Sequence, residues 1–245
     1  MHYNRAPIAE AVIDLIVSFQ DEPSIESLEN LAGDLKSGFP QAQRINALSA
    51  TIGPVEPGGA FASTTSSSAI GFRLTNPKGD RVLQVRKQGF SYSHLHPYTK
   101  WPTFIAEMRP LWEQYMGALR PASVTRMAVR YINRILVPQG VDLDLYLNVT
   151  PRLLTNVCNE VEGYFLQLVL PQRDLGNEWK AILNTGLEPS PASDVMSVLL
   201  DIDVFCEKTF PIDSDNMWNV LSQLRDRKNL IFESAITDEV RRIIE

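Results

Sequence analysis

Cysteine and histidine are scarce in this chain, and their scarcity narrows its chemistry first. The two cysteines, Cys158 and Cys206, stand far apart in 245 residues. They form neither a disulfide framework nor a metal-binding pair, so a reducing, cytoplasmic setting is expected. The three histidines are His2, His94 and His96. A Ser-His-Asp or Cys-His constellation with recognisable context is missing, and so are a nucleophile elbow and a glycine-rich phosphate loop. Basic charge is also short, with 23 Lys and Arg against 29 Asp and Glu, a net charge of −6. Non-specific nucleic-acid binding needs a basic surface that releases counterions. The overall balance argues against it and leaves room only for a local basic strip. No segment approaches the roughly 18 uninterrupted apolar residues of a membrane span. The N-terminal run MHYNRAPIAEAVIDLIVSF lacks a basic leader and is broken by Asp14. It reads as a strand, not a signal peptide.

What is present is an ordinary globular composition, 44% hydrophobic and 21% charged. The stretch VTRMAVRYINRILV, Val124 to Val137, reads as a long central strand. Alternation places Met127, Val129, Tyr131, Asn133 and Ile135 on one face and Arg126, Ala128, Arg130, Ile132 and Arg134 on the other. Strands are expected at Ala9–Phe19, Ile45–Ile52, Ala69–Thr75 and Arg81–His94 in the first half, and at Tyr164–Leu170, Glu178–Leu187 and Met196–Glu207 in the second. Gly53–Ser68, rich in serine, glycine and proline, reads as a loop. Helices are expected after Ser24, over Tyr98–Leu119 with a kink or break near Met108 caused by Pro110, in short pieces over Leu143–Val157, over Ser214–Arg227 with Phe232–Thr237 as either its extension or a tail, and over Asp238–Ile244. The order β-α-β-β-β-α thus occurs twice, in residues 1–121 and 122–245. The expected fold is α+β, a duplicated unit with antiparallel sheets and long helices packed on one face.

Three segments carry a resemblance: NRAPIAEAVID (Asn4–Asp14), RYINRI (Arg130–Ile135) and KNLIFESAIT (Lys228–Thr237). Together they resemble landmarks of a sporadically distributed prokaryotic family of uncharacterised proteins of about this length. That resemblance implies no catalytic residues. The patchy distribution of such a family implies a place in mobile elements, defence islands or toxin–antitoxin-like modules.

The residues offer one binding surface. Arg126, Arg130 and Arg134 share a strand face. Asp201 and Asp203 share a face of the last sheet strand, and Gln84, Arg86 and Gln88 one of Arg81–His94. If these coincide, one side of the sheet is polar and of mixed charge. A solvated, cross-paired face is the plain reading. A surface for an anionic or polar partner is the sharper one, since the arginine fork suits carboxylate and phosphate. His94 and His96 alternate on a strand end as two metal ligands would, but a third ligand is missing, so neither metal nor cofactor is expected. Glu10 and Asp14 are too far apart along a strand for joint acid–base work and are expected to pair with arginines. Lys228, Asn229, Phe232 and Glu233 read as a solvated exit from the last long helix.

The expected function is that of a non-enzymatic binding protein that recognises a partner protein encoded nearby, in the manner of an antitoxin-like or accessory component. A small-ligand or nucleotide-binding domain using the arginine face is the alternative. A phosphate-acting enzyme is a third reading, without an identifiable nucleophile or base. Self-association is compatible with all three, and a membrane partner is not expected.

Overall fold

The computed structural model describes residues 3–54, 61–98, 100–152, 161–212, 214 and 216–245, with the backbone alone for residues 48–54 and 61–66. The first half contains β1 (Ile8–Ser18), α1 (Ile25–Asp34), β2 (Gln41–Pro54), β3 (Phe61–Thr75), β4 (Arg81–Arg86), β5 (Gly89–Leu95) and α2 (Trp101–Leu119). The second contains β6 (Ser123–Pro138), β7 (Phe165–Pro171), β8 (Trp179–Glu188), β9 (Val195–Cys206), β10 (Phe210–Pro211), α3 (Asn216–Ala235) and α4 (Asp238–Ile244). The strands form one ten-stranded antiparallel sheet, ordered β2-β3-β4-β5-β1-β6-β9-β8-β7, with the short β10 beside the start of β6. The fold is therefore a mixed α/β fold: one antiparallel sheet and, among the described residues, four helices. None of those helices is long and apolar enough to cross a membrane.

Alternation explains the central pair. Ala11, Ile13, Leu15 and Val17 of β1 are buried, as are Met127, Val129, Tyr131, Asn133, Ile135 and Val137 of β6. These strands pair along nearly their full lengths, from Ile8 opposite Asn133 to Ser18 opposite Ser123. The helices present matching stripes at a period near 3.6. In α1 the Ser24 hydroxyl accepts the Ser27 N–H at 3.2 Å, and Leu28, Leu31 and Ala32 are buried. In α2 the stripe is Phe104, Met108, Trp112, Tyr115 and Leu119, and in α3 it is Met217, Val220, Leu221, Leu224, Lys228, Phe232 and Ala235. The apolar members of these stripes join the strand residues in a single core.

Four expectations are corrected. Arg81–His94 is not one strand but a hairpin that turns at Lys87-Gln88. Gln84 and Arg86 stay together on β4, while Gln88 leaves their row and its carbonyl accepts the Val17 N–H at 3.0 Å. The turn lacks the usual Asn-Gly signature, but Gly89 directly after it supplies the needed closeness. A Cβ there would stand 2.5 Å from the Leu15 carbonyl oxygen. Of the expected loop over Gly53–Ser68, residues 53–54 end β2 and 61–68 belong to β3, a ladder opposite β2; residues 55–60 lie outside the described ones. Of the helices expected over Leu143–Val157, Leu143–Leu145 forms a single 3-10 turn and residues 153–160 lie outside the description. The chain there is held by α3 instead, through Asn148 N–H to the Ala235 carbonyl at 2.8 Å. Finally, α2 runs unbroken through Pro110; α3 spans Asn216–Ala235 and takes in the start of the Phe232–Thr237 stretch, the extension alternative.

Candidate functional site

On β1, β4, β6 and β9 the side chains turned away from the core meet in an ion-pair lattice. Arg86 Nη2 donates to Asp14 Oδ1. Arg126 donates from Nη1 to Asp14 Oδ2 at 3.4 Å and from Nη2 to Asp203 Oδ2 at 3.0 Å. Arg126 also lies over the Phe205 ring, 4.3 Å from its centroid. Next to this chain, Arg130 makes a bidentate pair with Asp201, Nε to Oδ1 at 2.8 Å and Nη2 to Oδ2 at 2.7 Å. Asn184 Nδ2 donates to the same carboxylate at 2.9 Å, and Asn184 Oδ1 accepts from Gln167 Nε2 at 2.9 Å. The register dictates these meetings. Ser91 of β5 lies opposite both Gln84 and Asp14, Val12 lies opposite Arg130, and Arg130 lies opposite Asp203. Gly89 keeps the surface low where Arg86 crosses it, since a Cβ there would come 3.2 Å from Arg86 Nη2.

Three arginines (Arg86, Arg126 and Arg130) face three aspartates (Asp14, Asp201 and Asp203), so the lattice is neutral as a whole. Burial is uneven. The Asp201 side chain is 4% exposed while Arg130 is 46% exposed. Burial raises the Asp203 carboxyl above its ordinary range against the pull of Arg126 and Arg130, and its Oδ1 is buried without a hydrogen-bond partner. Arg86 Nε is unpartnered in the same way. The Asp201 hydrogen bonds raise the Arg130 guanidinium further, so it stays charged at any ordinary pH.

The same face carries apolar residues. Along successive cross-strand rungs, Arg134 leads through Leu199 and Gly186 to Phe165, and Arg130 leads through Asp203 and Ile182 to Val169. Phe165, Val169 and Leu136 are large hydrophobic side chains that stay exposed there.

The core side holds a different polar set. Glu107 Oε2 accepts from Arg81 Nε and from the Tyr92 hydroxyl, both at 2.8 Å. Burial opposes its ionisation, but these two donors and the neighbouring histidine keep its carboxyl below the ordinary range. His94 Nε2 lies 2.8 Å from the same oxygen without hydrogen-bond alignment. Its ring sits fully buried among Tyr92, Tyr98 and Phe104. Burial, then the charge of Arg81, lower its pKa to about 4, so it is neutral at pH 7. The Tyr131 and Tyr98 hydroxyls meet at 2.7 Å. Lys228 Nζ stands 3.7 Å from the Tyr131 ring centroid, a cation–π contact, and the residue is 6% exposed. Burial, then Arg225, lower the Lys228 ammonium to about 7.

The structure thus gathers Arg86, Arg126, Arg130, Asp201 and Asp203 on one face. Arg134 stands apart, paired at 2.8 Å with Glu188 and 59% exposed. Asp14 pairs with arginines as expected, at the centre of the lattice. The histidine pair is split: His94 is in the core, and His96 lies beyond the end of β5, exposed. Among the described residues, no three His, Cys, Asp or Glu side chains converge as a metal cage would. Cys206 is a buried free thiol pushed up to about 11 by burial, and Cys158 lies outside the described residues. The solvated reading of Lys228 is corrected: it occupies the buried stripe of α3 because the helix does not end there. Its spacing of four from Leu224 was the signal. Two hollows, about 430 Å³ beside Gln20, Arg120 and Ala122 and about 680 Å³ between α2 and α3 at Trp101, Arg109 and Trp218, have no lattice arginine on their walls. No protein-family profile and no curated protein matches the chain.

Proposed function

We propose that this chain is a non-enzymatic binding protein whose lattice face docks a partner protein. The observation that carries the reading is the combination on that face of a pre-paired charge lattice with exposed Phe165, Val169 and Leu136. Protein interfaces are anchored by a few large apolar or arginine side chains within a polar surround. A small anion or nucleotide is a poorer fit, since it must compete with Asp14, Asp201 and Asp203 for arginines already paired with them. A phosphate-acting enzyme meets the same obstacle.

The neutralising or accessory role in a defence or toxin–antitoxin module comes with the family resemblance and is part of the same proposal. So is the duplicated architecture, with residues 1–121 and 122–245 as two α+β units and long helices on one face; the β4–β5 hairpin makes the first β-α-β-β-β-β-α, and a 3-10 turn at Leu143–Leu145 stands where the second was expected to carry its first helix. In its support, each half opens with a central strand, β1 or β6, and ends its meander beside that strand, β5 on β1 and β9 on β6. Each then passes into a long helix. The three resembling segments also meet: Ile8 pairs with Asn133, Val12 with Arg130, and Lys228 covers Tyr131.

Co-expression with the product of each neighbouring gene, followed by purification, tests the proposal. Stable co-purification with one of them, lost on Arg130→Glu or Phe165→Asp in variants that still fold, is the expected result. Turnover of a nucleotide or phosphoester by the isolated protein, abolished by Asp201→Asn, overturns it.

A further inference from the structure

β7 is the last strand of the sheet, and its outer edge is built to pair with itself. Its sequence, FLQLVLP, contains no charged residue. Native edge strands are usually guarded by charges, proline, bulges or cover; among its described residues β7 has only Pro171, at its last position. At its two ends the Leu187 N–H donates to the Tyr164 carbonyl and the Gln172 N–H to the Trp179 carbonyl. Antiparallel pairing alternates hydrogen-bonded and non-bonded positions. With the register of Phe165 opposite Gly186 through Pro171 opposite Lys180, the even-numbered residues of β7 therefore bond to β8. Phe165, Gln167 and Val169 turn their N–H and C=O groups outward, and no described residue takes them up. The side chains of Phe165 and Val169 are also 66% and 57% exposed.

We propose that a second copy of this chain occupies that edge, antiparallel, with the two-fold axis at Gln167. In this register Phe165 of each copy lies opposite Val169 of the other, and Gln167 opposite Gln167. Each copy donates three backbone hydrogen bonds and accepts three. The neighbouring register, centred on Leu168, puts Phe165 against Pro171, which has no N–H to give. The Gln167 axis also places the two exposed apolar side chains against each other. It brings Leu166 of one copy beside Leu168 of the other on the opposite face. The flanks agree in charge: exposed Glu162 just before the strand comes alongside exposed Arg173 just after the strand of the second copy, and neither has an ion pair among the described residues. The two ten-stranded sheets become one continuous sheet, with the isologous contact a two-fold axis requires.

This pairing needs no other protein, so its test is independent of the partner-binding proposal. Sedimentation velocity of the full chain should give twice the 27.5 kDa monomer mass, and Val169→Lys and Gln167→Pro should give the monomer mass with unchanged circular dichroism. In a Cys158→Ser background, Gln167→Cys should cross-link between copies under mild oxidation. At a hydrogen-bonded pair on the axis, the two Cα atoms lie about 5.5 Å apart, within disulfide reach. Gln43→Cys on β2, the opposite edge, should not cross-link. A monomeric native protein at about 100 μM, or a dimer that survives both edge variants, or a dimer in which Gln167→Cys stays uncrosslinked, overturns the proposal.

Discussion

Charge is handled in opposite ways on the two sides of the central strands. On the side away from the core, every lattice arginine answers an aspartate, though burial raises one of those carboxyls, Asp203, above its ordinary range. On the core side, two bases are held against aromatic rings instead: His94 against Phe104, and Lys228 against Tyr131. There the surroundings change the ionisation itself, lowering His94 to about 4 and Lys228 to about 7. Pairing with Asp201 holds the Arg130 guanidinium charged, while enclosure by rings turns charge into a titratable cost. The lattice side should therefore respond to broken partners, and the core side to pH.

The largest effect should come from Lys228. Its folded pKa of about 7 lies below the model-peptide value of 10.5. Between those values the unfolded chain binds more protons, so this residue makes stability rise with pH from about 7 to 10.5 and imposes its full cost below pH 7. The difference corresponds to on the order of 5 kcal/mol. Lys228→Met should flatten that part of the stability–pH curve and raise stability at pH 6, read by denaturant unfolding across pH. An unchanged slope would place the ammonium in water and erase the contrast.

Next comes Arg130→Ala. It strands the Asp201 carboxylate, 4% exposed, with only Asn184 to hold it. Loss of one partner from a buried pair costs about 3 kcal/mol. Equilibrium unfolding at pH 7 measures it, and a loss under about 1 kcal/mol would mean that the lattice behaves as an exposed surface pair does. The double variant Arg130→Ala/Asp201→Ala should recover part of the loss, because no orphaned charge remains.

The smallest effect should be at Arg134. Its Glu188 pair stands largely in solvent, and Arg134→Ala should change stability by less than about 0.5 kcal/mol. A larger loss would extend the lattice one rung beyond Arg130.

Much of this arrangement was legible because alternation along β1, β6 and β9 sorts residues by face without further information. Parity put Arg126 with Arg130 and Asp201 with Asp203, and Asp14 could be assigned to arginines, but that the two faces coincide comes from the β6–β9 register. What alternation cannot reveal is where a strand reverses. Lys87-Gln88 carries no turn chemistry, so the β4–β5 hairpin was hidden inside one regular-looking run. Propensity also misled at Ser63–Ser68, where pairing with β2 outweighs a serine-rich composition. Lys228 was missed because a charged residue in a helical stripe reads as the end of the stripe. The Tyr131 ring beneath it and the charge of Glu233 offset part of that burial. Glu107 and Arg81, distant in sequence, meet through β5 and α2 packing, which no local pattern encodes.

β1 is made before both of its sheet neighbours and becomes the middle of the sheet. From Ile13 to its β5 neighbour Tyr92 is 79 residues, and to its β6 neighbour Val129 is 116. At about 5–20 residues per second, an apolar strand of 11 residues waits roughly 6 to 23 seconds with its second edge unclosed. During that interval it is a natural client for a nascent-chain chaperone. A chain halted after Leu119 never receives the strand that closes it.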